Sequence, residues 1–152
     1  PLPAGFEITA ETPLAPGSWQ EAGMPFYSGK VAYTQHFDLT KAPGARYVVK
    51  PGKWKGMAAE VKVNGTIAGT IAWQPYKLDI TSLVKEGDNE IVVEVTGSLK
   101  NTFGLFYRKE PSWIYGPTAW NHAPEHTPPP SEYVIPHYGL YEPFCVYRSE
   151  VK

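Results

Sequence analysis

Proline and glycine interrupt this chain so often that long helices have no room to form. The 16 prolines are about 10% of the chain, near twice the usual ~5%, and 14 glycines add to them. Proline lacks a backbone donor and glycine loses much entropy on ordering, so both punctuate regular structure. What lies between them is short, and short segments bury their apolar faces best as strands. No helix of more than about two turns is expected anywhere.

The periodicity agrees. In Val31–Leu39 the side chains of Val31, Tyr33, Phe37 and Leu39 fall on one face, interrupted by Gln35, with Ala32, Thr34, His36 and Asp38 opposite. Residues 46–50 are short but rich in β-formers. Met57–Val63 sets Ala59, Val61 and Val63 against Glu60 and Lys62, and Glu90–Thr96 sets Ile91, Val93 and Val95 against Glu90, Glu94 and Thr96. Alternation of this kind marks half-buried strands. Asn64-Gly65 separates Val63 from the β-prone run Thr66–Ile71, which predicts a type I′ hairpin. Asp79–Lys85 reads as one helical turn that Thr81 caps and Gly87 ends, with Gly87-Asp88-Asn89 turning into the next strand. Residues 132–136 and 144–150 are the expected closing strands.

Bulk numbers narrow the function. A length of 152 residues suits one domain with a real core. Fourteen basic residues against fifteen acidic ones, without a run of like charge, leave no footprint for a nucleic acid. The apolar stretches fall well short of the roughly 20 residues that a membrane-spanning helix needs. The single Cys145 cannot make an intrachain disulfide and is expected in the core of a late strand. Residues 1–5, Pro-Leu-Pro-Ala-Gly, read as a linker, with no signal peptide, so the expectation is one domain, 1–152, cut from a longer protein.

The order of several motifs carries a resemblance. Tyr27-Ser28-Gly29 precedes Val61-Lys62-Val63-Asn64-Gly65; Gly69, Trp73, Pro75-Tyr76 and Asp79-Ile80-Thr81 follow. Then come Gly87-Asp88-Asn89-Glu90-Ile91, Asn101, Tyr138-Gly139-Leu140 and Pro143. This ordered set, over roughly residues 19–147, resembles the galactose-binding-like jelly-roll domains of glycoside hydrolases. It is similar to the sugar-binding domain of family 2 β-glycosidases and to C-terminal domains of family 106 rhamnosidase-like enzymes. The resemblance implies an all-β sandwich jelly roll that either binds polysaccharide or oligosaccharide or braces the catalytic domain of its parent chain. It also implies a secreted, periplasmic or cell-surface enzyme as that parent. Relatives of this fold sometimes hold a structural calcium; with no Asp-rich loop here, calcium is left open.

Sugar recognition needs flat aromatic faces and planar hydrogen-bonding groups around a concave site. Residues 103–147 hold eleven of the 21 aromatics, and 108–131 is expected to be an ordered loop, since long loops in compact domains are often functional. The candidate sugar-binding residues are Asn101, Arg108, Trp113, Tyr115, Trp120, Asn121 and His122, with Trp54 between Lys53 and Lys55 on a second loop. Each of these tryptophans has a plainer reading, as a pin holding a loop on the sandwich. Trp73, beside Pro75-Tyr76, is expected to pack.

Catalytic motifs are weak. His122-Ala123-Pro124-Glu125-His126 matches H-x-x-E-H, but that motif works on a helix, and Pro124 and the prolines from 128 prevent one. Glu60, Glu90 and Glu94 offer a carboxylate pair for glycoside hydrolysis, as in a small jelly-roll glycosidase. Their alternation with Lys62 and Thr96 is also the ordinary pattern of a wetted sheet face. No Ser-His-Asp, Cys-His or phosphate-loop arrangement is present. The leading expectation is a non-catalytic carbohydrate-binding module.

Overall fold

The computed structural model describes residues 14–103, 126 and 129–150. Their strands are β1 (Lys30–Leu39), β2 (Ala45–Lys50), β3 (Trp54–Lys55), β4 (Ala58–Val63) and β5 (Thr66–Ile71), then β6 (Leu78–Asp79), β7 (Gly87–Thr96), β8 (Gly139–Leu140) and β9 (Cys145–Glu150). Helix is confined to α1 (Lys100–Phe103) and a 3-10 turn at Pro130–Glu132 among the described residues.

Three antiparallel sheets result. One has the order β1-β7-β4-β5, a second β6-β2-β9, and a two-stranded ribbon joins β3 to β8. The predicted inward residues do face inward: Ala59, Val61, Val63, Ile91, Val93 and Val95 are buried from the first sheet. Ala45, Tyr47 and Val49 come from the second, and both sets belong to one core cluster with Trp19, Leu140 and Phe144. Each Val or Ile buried this way is favourable by about 1.5–3 kcal/mol over its exposed state. Tyr33 is buried, and Val31, Phe37 and Leu39 pack against the same core. The protein is an all-β sandwich.

At the β4–β5 turn Asn64 has φ 49° and Gly65 φ 80°, the paired positive angles of the predicted hairpin. The next turn differs from expectation. Asp79, not Thr81, is the capping residue: its Oδ1 accepts from Thr81 N (3.0 Å) and Thr81 Oγ1 (2.6 Å). Thr81 Oγ1 accepts in turn from Tyr47 N at 2.9 Å, tying the turn to β2. Gly87-Asp88-Asn89 is not a turn but the start of β7, because each of these residues pairs with β1, from Leu39 back to Phe37.

Two further expectations change near the C-terminus. Residues 133–138 form no strand. Their backbone is used elsewhere: Pro136 O accepts from Asn101 Nδ2, and Tyr138 O from Trp19 N. Cys145 lies on β9, as expected, but is exposed rather than buried. It pairs with Lys50, while the next pair, Val146 with Val49, takes the core face.

Candidate functional site

A cleft of about 400 Å³ opens where the β3–β8 ribbon meets the loop after β5. That volume is within the ~300–1,000 Å³ usual for small-ligand sites. Three short segments build it.

The first is β3 with the residue after it. Trp54 pairs with Leu140 and Lys55 with Gly139, while Lys53 O accepts from Tyr141 N at 2.8 Å. Gly56 then crosses the end of β7 at close range. A Cβ there would lie 2.7 Å from Val95 Cγ1 and 2.9 Å from Thr96 O, so only glycine fits beneath the Trp54 ring.

The second segment, residues 72–77, contains a cis Gln74–Pro75 peptide bond. It brings Tyr76 to Trp54 with ring centroids 5.5 Å apart and planes at 83°. An edge-to-face pair restrains both rings, and both residues line the cleft. Trp73, expected to pack, is instead 79% exposed. It lies in the chain between Ala72 and Tyr76, both of which line the cleft, with its side chain largely in water.

The third segment is Pro136-His137-Tyr138, pinned at every residue. Asn101 Nδ2 donates to Pro136 O at 3.1 Å, Ser18 Oγ lies 3.0 Å from His137 Nδ1, and Ser98 Oγ is 2.7 Å from the Tyr138 hydroxyl. The cleft wall is therefore held before any ligand arrives, which lowers the ordering cost of binding.

Of the residues singled out in the sequence, Trp54 lies in this cleft. Asn101 lies beneath it, 3% exposed, with Oδ1 buried and without a hydrogen-bond partner; its visible work is to hold Pro136. Arg108, Trp113, Tyr115, Trp120, Asn121 and His122 lie outside the described residues, as does all but His126 of the H-x-x-E-H match. Tyr76, His137 and Tyr138 were not among the sequence candidates. Their separation along the chain gives no local pattern, although Pro75-Tyr76 and Tyr138-Gly139 already stood among the resemblance motifs.

The glutamates sit elsewhere, on the outer face of the first sheet. Glu60 and Glu94 are directly opposite on β4 and β7, a repulsive arrangement. Lysines relieve it: Lys30 Nζ is 2.8 Å from Glu94 Oε1, and Lys62 Nζ lies 3.4 Å from Glu60 and 3.6 Å from Glu94. The hydrogen bond from Lys30 holds the Glu94 carboxyl below its ordinary pKa, the opposite of what a general acid requires. Among the described residues no group of three or more His, Cys, Asp or Glu converges on a metal-sized site.

No family model matches the chain. A Formosa agariphila protein named as a β-glucuronidase is 30% identical over 93 residues, covering 55% of this chain and 8% of that protein. The solved rhamnosidase of Novosphingobium sp. PP1Y is 26% identical, with a TM-score of 0.55, over 82% of this chain and 11% of its own. These relatives are glycoside hydrolases. An FMN-binding β-glucuronidase of Facaelibacterium prausnitzii L2-6 shares the fold at 24% identity and a TM-score of 0.53, over 93% of this chain and 20% of that one. This chain thus spans a small part of each glycoside hydrolase it matches, and resembles a sugar-binding-like sandwich domain within them.

Proposed function

We propose that this domain is a non-catalytic carbohydrate-binding module, of jelly-roll, galactose-binding-like connectivity, belonging to an exported glycoside hydrolase. The observation that carries the reading is the pre-built cleft with Trp54 and Tyr76 set at right angles beside Tyr138. A pyranose presents an apolar C–H face that stacks on such rings, while its hydroxyls need polar groups at the rim, here His137 and the tyrosine hydroxyl of Tyr76. The short span of each hydrolase that the chain matches supports an accessory role. The module would act through effective concentration, holding its parent on a polymer rather than changing bonds.

The test is affinity electrophoresis through gels containing plant, algal or microbial polysaccharides, followed by calorimetry with the matching oligosaccharide. Retardation by at least one polymer is expected, with Trp54→Ala and Tyr76→Ala each weakening binding about tenfold or more. If no glycan retards the wild-type chain, or if both variants bind like wild type, the proposal fails.

A second reading is favoured by a different surface. Leu99 and Phe103 are exposed around α1, and Thr102 Oγ1 bonds Phe26 O, bringing exposed Phe26 to the same end. An apolar surface of that kind suits packing against the parent's catalytic domain. In that reading Phe103→Ser impairs association with the catalytic domain in a pull-down, and leaves glycan retardation unchanged. Undiminished association would remove it.

A further inference from the structure

We infer that the ligand of this cleft is an anionic saccharide, one carrying a carboxylate or a sulfate; the inference rests on the carbohydrate-binding reading above. The chain as a whole is balanced, with 14 basic and 15 acidic residues. The cleft is not. Its three segments, 53–57, 72–77 and 136–138, contain Lys53, Lys55, Lys77 and His137 and neither Asp nor Glu. Lys55 and His137 line the cleft directly.

Among the described residues no carboxylate lines the cleft. Of those that flank its segments in the sequence, Glu60 pairs with Lys62 on the outer face of the first sheet and Glu132 is exposed. Asp79 is bound by Arg46 and by Thr81. Glu142 accepts from the backbone N–H of Lys53. The Lys53 ammonium lies over the Tyr141 ring, 5.9 Å from its centroid, and makes no ion pair among the described residues. Lys55 and Lys77 make no ion pair among the described residues. Lysine is a compact, strongly hydrated point charge on a flexible stem. Lys55 beside the aromatic lining, with Lys53 and Lys77 one residue from lining positions in the sequence and no carboxylate in the lining, favours a sugar whose ring stacks while its anionic substituent reaches Lys55.

The experiment compares three matched probes by calorimetry on the wild-type chain: a neutral galactan oligomer, a galacturonate oligomer and a sulfated galactan oligomer. Binding of an anionic probe is expected to exceed that of the neutral one by about fivefold or more. It should weaken steadily as salt rises from about 0.02 to 0.5 M, because counter-ions screen exposed charges. Lys55→Gln should remove about threefold to fivefold of the anionic affinity, with its melting temperature confirming a folded variant. The salt titration tests the same point without any substitution. Preference for the galacturonate oligomer identifies a carboxylate, and preference for the sulfated one a sulfate ester; either supports the inference. Equal or tighter, salt-independent binding of the neutral oligomer overturns it and leaves the binding module intact. Binding of no glycan overturns both.

Discussion

The side-chain amide of Asn64 donates to Asn89 Oδ1 at 3.0 Å, locking the tip of the β4–β5 hairpin to the first residues of β7. Asn89 is fully buried. Its Oδ1 also accepts from Lys85 N, and its Nδ2 donates to Lys85 O and Gly87 O. Asn64 Oδ1 closes the arrangement by accepting from Glu90 N. Two asparagines thus satisfy the backbone of two turns. Asn89→Ala leaves several of these groups buried and unpaired, and should cost about 3 kcal/mol. Urea unfolding will show a lower midpoint at an unchanged slope; a loss under about 1 kcal/mol would contradict this role.

Asp79 links stability to acid. Its pKa is lowered from 3.8 to about 2, chiefly by hydrogen bonds from Thr81 and then from Arg46. A depressed carboxylate stabilises the fold above its unfolded pKa, and the contribution is lost as pH falls through about 2. Its side chain is 41% exposed, so solvent screening limits the effect to about 1 kcal/mol or less. Asp79→Asn should therefore melt below wild type at pH 6, with the difference closing near pH 2. An equal gap at both would show that the charge is irrelevant.

Trp73 offers a clean separation of stability from binding. Being exposed, it should tolerate replacement by Ala with a stability change within about 0.5 kcal/mol. Lost stacking beside Tyr76 should still weaken glycan binding by about 0.5–1.5 kcal/mol. Thermal melts and calorimetry on the same sample decide it, and unchanged affinity would exclude Trp73 from the site.

Gly56 should behave oppositely. Any side chain there meets Val95 and the Thr96 carbonyl, so Gly56→Ala is expected to cost about 1–3 kcal/mol through overpacking. The Trp54–Tyr76 pair would be displaced with it, and affinity should fall as well. A variant as stable as wild type would mean that the crossing relaxes freely.

The sandwich was legible in the sequence because its strands carry a period of two and its hairpin carries Asn64-Gly65. Both signals are local. Misreadings came where long-range contacts overrode them. The run at 132–136 looks like a strand, yet Asn101 takes the Pro136 carbonyl and Trp19 the Tyr138 carbonyl. Cys145 looks like core, but the register with β2 hands that face to Val146. Trp54 could be found as a lone indole between lysines. Its partners could not, since Tyr76 and Tyr138 come from remote segments that no spacing rule connects.

The β3–β8 ribbon places Trp54 against Leu140, residues from opposite halves of the polypeptide. On the carbohydrate-binding proposal, a glycan held in the adjoining cleft would touch both halves at once and recognise only the finished fold. Saturating sugar should therefore act as a clamp on the entire domain, adding about 2.7 kcal/mol at a hundredfold excess over Kd. A chain stopped short of Gly139 would lose the ribbon, β9 and the core residues Leu140 and Phe144, and with them that clamp.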